Sequence, residues 1–437
     1  MKRYEEYKDS GVEWIGEIPE GWEVTKIKYK ANLYPKCDIN KIDKSNMVTF
    51  TPMECVKTGS LEIRATEFSN YNSSYNVFKN GDILLAKVTP CFENKNIVIA
   101  NGLIGGIGFG SSELFVFRCG SNTETKFLYY YFQTNEFINF GKSTMYGVAG
   151  LKRVNSDLLI NRYLAIPPIE EQNRIVDFID NQTLKIDFLI SDKQKLINLL
   201  KEKRQAIISE AVTKGIDKNV KMKDSGVEWI GEIPNHWKTM KLRYIGSCQN
   251  GLSKAGEFFG SGYPFVSYSD VYKNIELPQN VEGLVESSIY EREHCSVQKG
   301  DVFFTRTSET VEEIALASTC MSTIPNATFA GFLIRFRPNS NDLNPGFSKY
   351  YFSSQLHRSY FVKEMNLVTR ASLNQELLKN LIVIMPPKDE QEKISFYIDS
   401  QLKKIDTLIT DIQLQIEKLK EYRQSLISEV VTGKVAI

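Results

Sequence analysis

Histidine is scarce in this 437-residue chain. Only His236, His294 and His357 occur, far apart and in no metal-ligand spacing, so metal-assisted and histidine-based catalysis have little to build on. Cysteine offers no pattern either. Cys37, Cys55, Cys91, Cys119, Cys248, Cys295 and Cys320 are odd in number, scattered and free of any C-x-x-C pair, which points to reduced, buried thiols and away from a disulfide framework or a zinc site. No apolar run approaches the roughly 18 residues of a membrane-crossing helix, and the opening MKRYEEYKDSGVEW lacks a signal-peptide core. A cytoplasmic location with no membrane partner is expected. An excess of one charge is missing too: 54 Lys and Arg face 53 Asp and Glu, a formal net charge of +1. Bulk basicity therefore argues for no polyanionic partner, and any cations that meet one must be arranged locally. With 42% hydrophobic and 24% charged residues, the chain can nevertheless bury a sizeable core.

The sequence contains itself twice. KDSGVEWIGEIP at Lys8–Pro19 returns unchanged at Lys223–Pro234. PPIEEQNRIVDFIDNQTLKIDFLI from Pro167 aligns with PPKDEQEKISFYIDSQLKKIDTLI from Pro386, and KEKRQAIISEAVT from Lys201 with KEYRQSLISEVVT from Lys420, now 219 positions apart. Between these blocks the echoes are weaker: KNGDILLAKV at Lys79 against QKGDVFFTRT at Gln298, and FLYYYFQT at Phe127 against FSKYYFSS at Phe347. The unit is thus a variable globular part followed by a well-matched tail.

Short β-branched or aromatic runs bounded by Gly, Ser or Asn predict strands at 82–88, 96–100 and 113–118 in the first copy and at 301–306 and 329–337 in the second. Aromatic spacings near 3 and 4 predict helices over 126–140 and 347–364, which makes buried packing the expected role of Tyr129, Tyr130, Tyr131, Tyr350 and Tyr351. In the tails, Ile175, Ile179, Ile186, Ile190 and Ile197 fall within about a 60° arc of one helix face, and Ile394, Ile398, Ile405, Ile409 and Ile416 repeat the stripe. Proline pairs lie just ahead of each run, followed by Glu170, Glu171 and Asp389, Glu390, while basic residues fill the far ends. A helix of this length, about 66 Å, outruns a single domain, so the two stripes are expected to pair as an antiparallel coiled coil within the chain. The expected fold is α+β: two α/β recognition domains at 1–165 and 222–384, two spacer helices at 166–221 and 385–437, and a pseudo-two-fold internal repeat. Two unlike surfaces at the ends of a fixed spacer suit a duplex target with two different half-sites.

The doubled KDSGVEWIGEIP, the GD before an apolar strand, the PP-x-x-E-Q-x-x-I helix start and the K-E-x-R-Q-x-x-I-S-E-x-V-T helix end resemble the specificity (S) subunits of type I restriction-modification systems, over essentially the whole chain. The resemblance implies two target recognition domains that read an asymmetric bipartite DNA sequence, and helices that dock methyltransferase (M) subunits carrying S-adenosylmethionine. Restriction (R) subunits, with ATP- and Mg-dependent chemistry, would join that core. The residues agree with a non-catalytic role. The only Pro-Pro pairs, Pro167-Pro168 and Pro386-Pro387, stand at helix starts and not in an N/D-P-P-Y/F methyltransferase motif. No phosphate-binding G-x-x-x-x-G-K-S/T loop occurs. Glu93-Asn94-Lys95 has only the spacing of a nuclease E-x-K, and Gly106–Gly110 is expected to be a hairpin turn.

Neither unit is basic overall, with 20 basic and 18 acidic residues in 1–165 and 16 and 17 in 222–385. DNA contact is therefore expected from loops that mix cations with amides and hydroxyls. These supply Lys87, Thr89, Asn94, Lys95, Asn96, Lys142, Lys152 and Arg153 in the first unit, and Arg306, Thr307, Ser308, Arg370, Ser372 and Asn374 in the second. Trp14 and Trp229, which recur with identical neighbours, are expected to pack within the chain, with contact to an M subunit the other reading. Two rivals stand beside the DNA reading: an active site shared by the copies, disfavoured because they share GD turns and aromatics instead of titratable groups, and a coiled-coil scaffold whose divergent units bind peptides.

Overall fold

The computed structural model of the chain describes residues 2–40, 42–147, 150–308, 314–357, 360–361 and 371–437. It divides into two compact units: Met1–Lys193 with Gln413–Ile437, and Gln194–Ile412.

In the first unit, strands Ile97–Ile99, Ile83–Ala86, Leu114–Cys119 and Ala31–Leu33 form one antiparallel sheet in that order. Ile97–Ile99, Ile83–Ala86 and the first four residues of Leu114–Cys119 read as unbroken apolar runs because both faces are covered there. Alternation sorts the side chains: Ile83, Leu85, Phe115 and Phe117 join Leu128, Phe132 and Phe137 on one face, whereas Leu84, Val98 and Val116 meet Val56, Phe78 and Leu103 on the other. A second sheet, Arg64–Glu67, Met47–Thr51, Ile107–Gly110 and Asn76–Lys79, contains one parallel pair, Met47–Thr51 beside Ile107–Gly110. The expected hairpin turn at Gly106–Gly110 is therefore a strand from Ile107 onward. Its glycines serve close approach: a Cβ on Gly108 would lie 2.5 Å from the Phe78 ring, and one on Gly110 2.0 Å from the Thr51 carbonyl oxygen.

The second unit repeats the first sheet as Gly246–Asn250, Leu333–Pro338, Val302–Thr305 and Ala317–Thr319. The apolar run expected as one strand at 329–337 is two, Thr328–Phe329 and Leu333–Pro338, in different sheets. In both units the GD pair is a structural turn. Gly81 and Gly300 take φ near +90°, and the next carboxylate is buried. Asp82 accepts from the Lys79 N–H and pairs with Arg118 through two bonds of 2.7 Å; Asp301 accepts from the Gln298 N–H and pairs with Arg337 through two of 2.6 Å.

The helix expected over 126–140 breaks into Thr125–Tyr131 and Asn135–Ser143, because the Thr134 hydroxyl accepts from the Phe137 N–H and caps a new helix. Its counterpart is Pro345–Ser353, and 358–359 and 362–364 of the expected 347–364 lie outside the described residues. The five tyrosines named above are at least half-buried. Trp229 packs at the edge of the second unit's core, with its ring centroid 5.8 Å from that of Tyr360, whereas Trp14 is 47% exposed and covered by the Arg162 guanidinium at 3.7 Å.

The two long helices are Ile169–Lys214 and Lys388–Val431. Each begins after its proline pair, with a glutamine fastening it to its unit. Gln172 donates to the Pro167 and Asn122 carbonyls and accepts from the Glu124 N–H; Gln391 donates to Pro386 and Asp342 and accepts from Asn344. In the first unit the start of the first helix (Ile175, Val176, Ile179, Ile186) shares a core with the end of the second (Leu426, Ile427, Val430, Val431), so the segments run antiparallel. In the second unit Ile208, Ala211 and Val212 do the same with Ile394, Ile398 and Leu402. The ten stripe isoleucines are buried except Ile190 and Ile409, which are half-buried. Leu402 and Ile412 are buried between them in the second helix and Thr183 in the first, so from Ile394 to Ile416 the second stripe advances in steps of 4, 4, 3, 4, 3 and 4, close to the heptad spacing of a coiled coil. Ion pairs obey the repeat: Arg423 to Asp187 at 3.3 Å in the first unit, Arg204 to Asp406 at 3.6 Å in the second.

Candidate nucleic-acid interface

The strand that follows each GD turn ends in a polar segment, and the fold brings a second polar segment to it. In the first unit, Val88 bridges to Arg153, the Thr89 N–H donates to the Lys152 carbonyl at 3.0 Å, and the Val154 N–H donates to the Lys87 carbonyl at 2.9 Å. The Thr89 hydroxyl fastens the junction, donating to the Gly150 carbonyl at 2.8 Å and accepting from the Lys152 N–H at 3.0 Å. Lys87, Thr89, Lys152 and Arg153, read from two stretches of sequence, thus form one patch. Within it Arg153 is held by Glu113 through bonds of 3.1 and 2.8 Å, which keeps the Glu113 carboxyl below its usual range and ionised. Lys87 is half-buried, and burial lowers its pKa, with the Glu113 carboxylate opposing that shift and the Arg153 charge adding to it.

Asn94, Lys95 and Lys142 make a second group. The Lys95 ammonium donates to Asn135 at 2.8 Å, its pKa lowered first by burial and then by Lys142, and Lys142 lies 3.8 Å from Glu93. Asn94 is exposed, whereas Asn96 is buried with its backbone in the ladder beside Ala86.

The second unit repeats the junction with different side chains. Thr307 pairs with Ser372 and Ser308 with Ala371, while the Leu373 N–H donates to the Arg306 carbonyl at 2.7 Å. Arg306, Thr307 and exposed Ser372 are brought together; Arg370 lies outside the described residues. Asn374 is engaged as a helix cap, accepting from the Leu377 N–H at 2.7 Å, as Asn155 does for Leu158 at 3.0 Å. Two residues at these junctions are absent from the loops read off the sequence. Glu113 and Phe332 stand 219 positions apart, and their carbonyls accept from the Lys87 and Arg306 N–H groups respectively, each at 3.0 Å. Carrying the register of the GD strand across to its neighbour would have found them.

Elsewhere, no group of His, Cys, Asp or Glu suited to a metal occurs among the described residues, and none of their helices is long and apolar enough to cross a membrane. Burial pushes the Cys119 and Cys248 thiols up to about 11, so they are unreactive near neutral pH.

A family model described as the type I restriction modification DNA specificity domain matches the chain twice, over residues 19–199 and 234–418. The specificity subunit of the type I restriction enzyme EcoKI from Escherichia coli K12 is 23% identical, over 96% of this chain and 90% of its own length. That of EcoAI, also from Escherichia coli, is 39% identical over 37% of this chain, and the match spans only 28% of the EcoAI subunit. Among solved structures, a chain from a study of complex assembly and conformational transition in a type I R-M system superposes with a TM-score of 0.72 at 16% identity, covering 96% of this chain and 99% of that one. That likeness establishes a shared fold.

Proposed function

Because the chain belongs to the specificity subunits of type I restriction-modification systems, both of its halves being matched by their DNA specificity domain, we propose that it reads a bipartite, asymmetric duplex sequence, one half-site per unit, without a catalytic centre of its own. The observation that carries this reading is the junction present in both units. The backbone bonds of Lys87 to Glu113 and of Arg306 to Phe332 keep one register, as do the pairings of Val88 with Arg153 and of Thr307 with Ser372, while the side chains on that frame differ. A constant frame with changed polar side chains suits two readers of two different sequences.

The paired helices dock the methyltransferase subunits, which bring S-adenosylmethionine and methylate adenine. Restriction subunits join that core and supply the ATP- and Mg-dependent steps. With a net charge of only +1 on this chain, those partners contribute much of the phosphate contact that holds the duplex. The test is to purify the chain with its methyltransferase partner, footprint the complex on DNA and sequence the methylated adenines. A single two-part motif protected and methylated supports the reading. A complex that protects and methylates no such motif overturns it and leaves the peptide-binding scaffold.

A further inference from the structure

Phe332 is 65% exposed and immediately precedes strand Leu333–Pro338. It stands beside the polar junction of the second unit: its carbonyl accepts from the Arg306 N–H, and the Arg306 guanidinium reaches the carbonyl of the preceding Gly331 at 3.5 Å. The first unit holds Glu113 in this place, and that carboxylate is engaged by Arg153. In the second unit the position of Arg153 is taken by Ser372, so the cation that would hold a carboxylate is gone and a phenyl ring stands there instead. A ring kept in water gains hydrophobic stabilisation only when a partner covers it. On duplex DNA the apolar group offered at base edges in the major groove is the thymine C5-methyl; the rest of that surface is donors and acceptors.

Resting on the DNA-reading function above, we propose that Phe332 is a specificity-determining residue, packing against a thymine methyl in the half-site read by the second unit while Arg306 takes the adjoining polar edge or phosphate. The equivalent position in the first unit, carrying Glu113, has no such preference. The two units thereby differ in chemical class at one shared site.

The experiment uses the chain in complex with its methyltransferase partner. Once the methylated motif is known, each thymine in it is replaced singly by deoxyuridine, which removes only the methyl group, and binding is measured. One replacement, in one half-site, is expected to weaken binding by about fourfold, the worth of one buried methyl-sized group. Phe332→Ala should bind the thymine and uracil duplexes alike, and Phe332→Leu should keep part of the preference. With its side chain largely in solvent, Phe332 tolerates both changes without unfolding the unit. Motif thymines that are all indifferent to deoxyuridine overturn the inference, as does a Phe332→Ala complex that keeps full sensitivity. Binding that Phe332→Ala weakens but deoxyuridine does not is the signature of the ring stacking on an unstacked base, and also overturns the methyl contact. A complex with no bipartite motif at all overturns the functional reading itself, an outcome distinct from these.

Discussion

Trp237 donates its indole N–H to the Glu390 carboxylate at 2.8 Å, tying the residue just beyond the repeated KDSGVEWIGEIP to the first turn of the second long helix. Trp22 and Glu171 make the same bond in the first unit at 3.2 Å. Trp237 is fully buried, so Glu390→Ala leaves its N–H without that acceptor and is expected to destabilise the second unit by about 1–2 kcal/mol. Urea denaturation followed by tryptophan fluorescence measures the loss. Glu390→Gln keeps an acceptor and should recover most of it.

Removing the GD carboxylate has a larger effect. Asp301 is 1% exposed and compensates Arg337 while also accepting from the Gln298 backbone. Asp301→Ala removes this acceptor from both, leaving Arg337 its bonds to Ser296, and is expected to cost about 3 kcal/mol, the lower end of the range for broken buried pairs because Arg337 is partly exposed. The matching loss for Asp82→Ala should appear in the first unit. A change below about 1 kcal/mol in either, by chemical denaturation, would mean that solvent already neutralises the pair.

Stability should fall in mild acid through His357. This residue is 4% exposed, enclosed by the rings of Trp229, Tyr351 and Phe352, and burial lowers its pKa to about 3. A histidine depressed on folding takes up its proton in the unfolded chain first. Its neutral form is therefore fully tolerated above about pH 6.5, and stability drops as pH falls from there toward 3. By pH 5 the loss is about 2 kcal/mol. In the FLYYYFQT alignment the first unit holds Phe137 at this place. His357→Phe should accordingly flatten the dependence, read as the denaturation midpoint at pH 8 against pH 5.

Replacing Arg306 with Ala should relax methylation specificity at one half-site only. Sequencing of methylated DNA distinguishes that outcome from equal loss at both, which would mark Arg306 as a structural residue of the strand end.

The architecture was legible because the repeat is nearly literal where structure demands it: the proline pairs, the Glu-Gln that follows them and the isoleucine stripes all perform in both units the same bonds and burials. The full seam was less legible. Thr183 is polar and Lys193 donates to Gln415 at 2.6 Å, so the intervening positions of the first helix do not show as apolar in the sequence even where they occupy the seam. Gly108 and Gly110 are ambiguous in the sequence because a glycine that admits a neighbouring strand is spelled like one that makes a turn. The junction residues are legible only in part. Lys87 and Arg306 share a charge and announce themselves, whereas Glu113 and Phe332 share nothing except a backbone register, which pairing of strands alone reveals.

The place of Gln413–Ile437 in the first unit bears on how the chain is made. Residues Gln194–Ile412 form a continuous stretch that can close as soon as it has left the ribosome, whereas the first unit contains Gln413–Ile437, with Leu426, Ile427, Val430 and Val431 in its core and Ala436 paired with Lys2. Synthesis therefore delivers the whole of Gln194–Ile412 before it delivers Gln413–Ile437, so the first unit is completed after the second. Until then Ile175 and Ile179 lack the side chains that cover them. A chain cut after Ile412 would therefore lose part of the first unit's core while keeping the whole of the second unit.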